Sequence, residues 1–157
     1  MSKLLTQNLY EQDYHLWLET TLKQLQTRDL ENLDWEHLIE EIEALGNEQN
    51  RKLKSYLLQL LKHLLLYQYW DVPDCQNHWE VEIDNFRVEL QDLTQSKNLY
   101  NFMLTVLEEV YTNAKRQAKK KSGLNNFPEN CPYNIEQILD VDYLPKFAYL
   151  SNVDDVE

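Results

Sequence analysis

DWEHLIEEIEALGNEQNRKLKSYLLQLLKHLLLYQYW, residues 34–70, holds two consecutive helical patterns, the first short, acidic and amphipathic and the second leucine-rich over most of its circumference. At helical spacing Leu53, Tyr56, Leu57, Leu60, Leu61, Leu64 and Tyr67 share one face, and Leu58 and Leu65 widen that stripe well past a third of the surface. A helix so apolar around its girth needs neighbours on several sides. The pattern therefore predicts an all-α fold: a compact helical bundle of about five main helices plus a short C-terminal one, with the leucine-rich segment at its centre.

Composition supports that class. The chain has 157 residues, 28 of them leucine, but only 2 glycines and 4 prolines, too few turn residues to close hairpin after hairpin in an all-β fold. A chain of this length fits one domain over residues 1–150 and buries roughly 70% of the surface its unfolded form exposes. Residues 151–157 are acidic and read as a disordered tail. The formal charge of −12 argues against nucleic acid, because affinity for phosphates comes from Lys and Arg displacing counterions. Residues 1–8 have no apolar core of signal-peptide length, and no apolar run approaches the ~18 residues of a membrane span. Cys75 and Cys131, far apart in such a chain, read as reduced thiols in a cytoplasm.

Working outward, residues 9–25 carry Tyr10, Tyr14, Trp17, Leu18, Thr21, Leu22 and Leu25 on one side and predict a first helix. Asp34 offers an acceptor for the free amides of a second helix, with Leu33 and Leu38 spaced as a hydrophobic staple. Gly46 and Asn47 mark its C-terminal cap or a kink before the central helix. Pro73 breaks the chain, and Trp79, Ile83, Phe86, Leu90 and Leu93 define a fourth helix. Ser96 is a candidate cap for a long fifth helix, whose lysine-rich end meets the negative end of the helix dipole before Gly123 closes it. NNFPENCP, residues 125–132, is a loop, and residues 134–139 form a short capped helix.

Several of these stretches are distinctive together: Tyr10, Asp13 and Trp17 as YxxDxxxW, then DWEHLIEEIEALG, LLKHLLLYQY, Trp79 with Arg87 eight residues on, and ENCPYNIEQILD. In this order, over about residues 9–145, they resemble the bacterial family called domain of unknown function 29. The resemblance implies an all-helical bundle in a cytoplasmic bacterial protein and carries no reaction, cofactor or functional residue with it. The family's recurrent polar positions line up here with Asp13, Glu41, His63 and Arg87, together with Glu40.

Those residues border apolar faces. Asp13 sits one turn before Trp17, Glu41 flanks Leu38, Ile42 and Leu45 with His37 one turn earlier, His63 lies beside Tyr56 and Tyr67, and Arg87 beside Ile83 and Leu90. Asp13, Glu41, His63 and Arg87 are therefore a candidate polar cluster. Its plainer meaning is a structural network, with Arg87 on Asp13 or Glu41 and His63 on a carboxylate or carbonyl, because buried charges persist only when paired. Its sharper meaning is a metal or acid/base site, since inward carboxylates and histidines build di-metal centres in bundles. The Glu-x-x-His pairs of such centres are missing, as Leu60 precedes His63 and Gln12 precedes His15.

Other motifs are weaker. Cys75 and His78 form C-x-x-H, half of a zinc site to which Cys131 would add a third ligand, but without a partner pair chance is the better account. KRQAKKK, residues 115–121, carries five positive charges and reads first as a solvated helix end. It also suits docking, because residues 1–50 hold eleven Asp or Glu against three Lys or Arg, so one protomer's basic end complements another's acidic face. There is no phosphate-binding glycine loop and no nucleophile elbow. The expectation is a non-enzymatic interaction or adaptor module without cofactor, self-associating or binding a basic partner; the rival is a metal-binding or acid/base enzyme built on the polar cluster.

Overall fold

The structure is a computed structural model and describes residues 2–148; the tail expected over 151–157 lies outside them. Among the described residues six α-helices follow one another: α1 (Lys3–Gln12), α2 (Tyr14–Gln26), α3 (Trp35–Tyr69), α4 (Gln76–Leu93), α5 (Lys97–Ser122) and α6 (Ile135–Leu139), with a 3₁₀ turn at Pro73–Cys75. No strand occurs among these residues. The fold is all-α around a long central helix, as the leucine pattern predicted. The chain groups into two compact units, Met1–Glu48 and Gln49–Glu157.

Two helix boundaries differ from the sequence reading. The first helix expected over residues 9–25 is broken at Asp13, whose backbone lies at φ −152°, ψ 86°. Its main-chain N–H closes α1 on the Leu9 carbonyl at 2.7 Å, and its carboxylate opens α2 by accepting from the Leu16 amide at 3.1 Å. An aspartate at such a corner satisfies a helix-start amide that would otherwise go unbonded. The opposite error occurs at Gly46. The helix neither ends nor restarts there but runs unbroken for 35 residues as α3. A mid-helix glycine costs about 1 kcal/mol against alanine, less than leaving a set of terminal carbonyls and amides without partners.

In the first unit α2 ends in a turn with Arg28 at φ 60°, where the Asp29 amide reaches back to the Gln24 carbonyl at 2.9 Å. Asp34 then starts α3 as predicted, its Oδ1 accepting from the His37 amide at 3.3 Å. In the second unit Leu53, Leu57, Leu60, Leu61, Leu64, Leu65 and Leu66 are fully buried and pack in one core with Trp79, Ile83 and Leu90 of α4 and Met103, Val110 and Tyr111 of α5. Ser96 caps α5 on the Leu99 amide, Lys119, Lys120 and Lys121 fill its last turn, and Gly123 closes it at φ 75°. A reciprocal capping box between Asn134 and Gln137 sets the start of α6. Cys75 and Cys131 are free, and no helix among the described residues is long and apolar enough to cross a membrane.

A Cβ added at Gly46 meets nothing within 4 Å. Gly46→Ala should therefore stabilise the protein by roughly 0.5–1 kcal/mol, read as a rise in the denaturant midpoint at constant m-value. Destabilisation by that substitution would contradict a continuous helix at this position.

Candidate functional site

The densest polar arrangement of the first unit joins α1 and α2 to the start of α3. Tyr10 Oη donates to Glu41 Oε1 at 2.5 Å, and Tyr14 Oη donates to Glu41 Oε2 at 2.7 Å. One turn further along α2, Trp17 Nε1 donates to Asp34 Oδ2 at 3.1 Å, and the same oxygen lies 2.5 Å from His37 Nδ1. Asp34 is 0% exposed, and its oxygens are met by these groups and by the His37 amide. The Tyr10 ring stacks on the His37 imidazole at 3.8 Å between centroids and meets Trp17 edge-on. Every residue of YxxDxxxW thus has a physical task. Tyr10 and Trp17 each hold a carboxylate of α3, and Asp13 makes the corner that lets both reach it.

Next to this clasp lies an open groove of about 410 Å³ between α2 and the first turns of α3. Its walls are Leu18, Leu22, Leu25, Leu38, Ile42 and Leu45, and Tyr14, Trp17, Thr21 and Glu41 complete its lining. Leu22, Ile42 and Leu45 are 56%, 61% and 69% exposed. Thr21 is 3% exposed, and its Oγ1 is buried with no hydrogen-bond partner. A second depression of about 330 Å³, bounded by Thr20, Lys23, Gln24, Thr27 and Asp29, is polar; Thr27 is bonded to the Lys23 carbonyl and Asp29 to Asn32.

The four residues singled out from sequence fall two in each unit. In the first, Asp13 caps α2 while Glu41 holds the two tyrosines. In the second, His63 Nδ1 lies 2.6 Å from the Gln59 carbonyl one turn back, against Phe86 at 5.5 Å, and burial is the main reason its pKa is lowered. Arg87 is 1% exposed and spends its donors on main-chain carbonyls: Nε on Ile138 at 2.8 Å, Nη1 on Tyr143 at 2.9 Å and Nη2 on Gln137 at 3.1 Å. Gln91 adds a bond to the Leu139 carbonyl at 2.6 Å. Together they satisfy the Gln137, Ile138 and Leu139 carbonyls at the end of α6, which a five-residue helix cannot satisfy within itself, and tie in the Tyr143 carbonyl of the segment beyond it. Burial lowers the Arg87 pKa, and Asp140 and then Asp84 oppose that shift. Among the described residues no group of three or more His, Cys, Asp or Glu is gathered that could hold a metal ion, and this includes Cys75, His78 and Cys131.

Sequence reasoning placed Tyr10, Tyr14, Trp17 and Thr21 on an apolar stripe and gave Asp34 a capping role alone. The hydroxyl and indole donors facing α3 were missed because helical periodicity reports which side a residue is on, not which acceptor it meets. The available signal was the pairing of aromatic donors at 10, 14 and 17 with carboxylates at 34 and 41.

The fold and this site define a class: an all-α protein whose acidic N-terminal helices form a clasped, apolar groove. The chain belongs to the family described as Domain of unknown function DUF29, whose model matches residues 9–144. No curated protein and no solved structure matched it.

Two consequences can be measured. The tyrosine hydrogen bonds, Tyr10's first, hold the Glu41 carboxyl below its ordinary 4.5, and the bond to Glu41 is the main reason Tyr10 is pushed from 10.0 up to about 12. The depressed carboxyl contributes stability that is complete above pH 4.5 and lost as pH falls through its lowered folded value; the raised phenol contributes stability that is complete below pH 10.0 and lost as pH rises toward about 12. Urea midpoints at about pH 3, 7 and 11 should be highest in the middle, and Glu41→Gln should flatten both limbs. An unchanged pH profile in that variant would count against the clasp. Separately, Arg87→Met strands three carbonyls and should cost on the order of 3 kcal/mol; a loss under about 1 kcal/mol would mean they find other donors.

Proposed function

We propose that this protein is a non-enzymatic interaction module whose N-terminal unit docks another protein through the groove between α2 and α3. The observation that carries this is the composition of the groove: six aliphatic walls, three of them more than half exposed, on a unit of strongly acidic sequence. Scattered exposed leucines are ordinary, but a contiguous apolar trough is a common mark of an interface. The clasp supports the same reading. Tyr10, Tyr14 and Trp17 fix the helices that form the trough, so its shape is set before a partner arrives.

Acid/base chemistry is the second reading, and the Asp34–His37 pair is the observation that favours it. A carboxylate holding Nδ1 leaves Nε2 to act on a proton, as in hydrolytic triads. The same pair has a sufficient structural task, because Asp34 caps α3 and His37 stacks under Tyr10. Interaction therefore takes precedence. The two free cysteines suit a reducing compartment, and a cytoplasmic location belongs to this proposal.

A photo-crosslinking residue at Leu45, installed in cells that make the protein, should trap a discrete protein adduct that Ile42→Lys abolishes. The same residue at Leu104, exposed on α5, should not trap it. A groove position that traps nothing, or traps the same species as Leu104, would remove the docking reading.

A further inference from the structure

We infer that the groove's occupant is an amphipathic helix of another protein, carrying a lysine or arginine that reaches Glu41. This rests on the docking reading above and deepens it.

The shape selects a helix over a small molecule. A pocket for a small ligand encloses most of that ligand's surface, whereas this trough is open along its length and its rims at Leu22, Ile42 and Leu45 stand mostly in solvent. Along α2 the lining runs from Tyr14 to Leu25 at intervals of three and four residues. That is about three helical turns, or roughly 16 Å, and suits a partner helix of similar length laid against it.

Charge selects the chemistry of the occupant's end. Met1–Glu48 carries eleven acidic side chains and three basic ones, a formal charge of −8. In the lining of the trough each Glu41 oxygen accepts one phenol, which leaves each a further lone pair. Tyr10 and Tyr14 also fix the carboxylate in place, so a cation arriving there meets an oriented acceptor.

A second copy of this chain does not fit. Two N-terminal units face to face would bring a charge of −8 against −8. The basic end of α5 has the right sign, but its apolar residues Val110, Tyr111, Ala114 and Ala118 are buried in the core of its own unit and are not free to fill a groove.

The test uses the full chain and three synthetic helical peptides with the same leucine face. One has a lysine at the border of that face, one has alanine in its place, and one has glutamate there. Backbone amide shifts of α2 and of residues 35–46 report where each binds. The lysine peptide is expected to bind in the groove about tenfold more tightly than the alanine peptide and to weaken with salt, while the glutamate peptide should not bind detectably. Glu41→Gln should erase the lysine preference while leaving the alanine peptide's affinity intact. Equal binding of the lysine and alanine peptides would overturn the cation and leave docking in place. Groove shifts from none of the three would overturn the docking reading itself. A dimer of the protein alone that Leu45→Lys disperses in sedimentation would overturn the heterologous partner.

Discussion

Asp34 has no exposure to water, and a buried carboxyl group is tolerated only where its oxygens are hydrogen-bonded. It is met by Trp17 Nε1, the His37 ring and the His37 amide. These donors come from two directions, so the carboxylate starts α3 and at the same time fixes α2 against it. Glu41, two turns later, repeats the arrangement at the half-exposed edge with Tyr10 and Tyr14. The groove beside them follows from this pairing. Tyr14, Trp17 and Glu41 of the clasp line it, and aliphatic side chains of α2 and α3 supply the rest of its walls.

How much of this was legible depends on which physical quantity a residue pattern encodes. The all-α class and the leucine-rich centre were readable because burial of Leu53 to Leu66 is expressed directly as periodicity. Ser96, Gly123 and Asn134 were readable because a cap is a local interaction between neighbours in sequence. Asp13 and Gly46 misled in opposite directions. The apolar stripe through Tyr10, Tyr14 and Trp17 continues across Asp13 as if the helix did, and nothing in periodicity shows that the aspartate prefers the amide of Leu16. Gly46 looks like a terminus by type, yet only a left-handed backbone makes glycine a stop, and among the described residues the glycine with positive φ is Gly123.

The four polar residues taken from sequence show the same limit. Each has a partner. What could not be foreseen is the kind of partner. Arg87 meets carbonyls at the end of a five-residue helix, His63 meets a carbonyl of its own helix, and Glu41 meets phenols. Main-chain carbonyls leave no trace in a residue pattern, and an arginine suited to pairing with a carboxylate is equally suited to closing a helix end. The orphaned hydroxyl of Thr21 is subtler still. In sequence it is one polar position on a mostly apolar stripe, and its lack of a partner exists only once the surrounding side chains have taken their places.

The hydrogen bonds of the two units also differ in how far they reach along the chain. Those from Tyr10, Tyr14 and Trp17 span 31, 27 and 17 residues and are complete once Glu41 has been made. Those from Arg87 span 50 to 56 residues and wait for Tyr143. Translation proceeds from the N-terminus at about 5–20 residues per second. For several seconds, then, a nascent chain can hold every donor and acceptor of the clasp while the Arg87 guanidinium still has only water to bond. While α5 and the loop after it are being made, Arg87 of α4 waits for carbonyl acceptors that the growing chain does not yet contain.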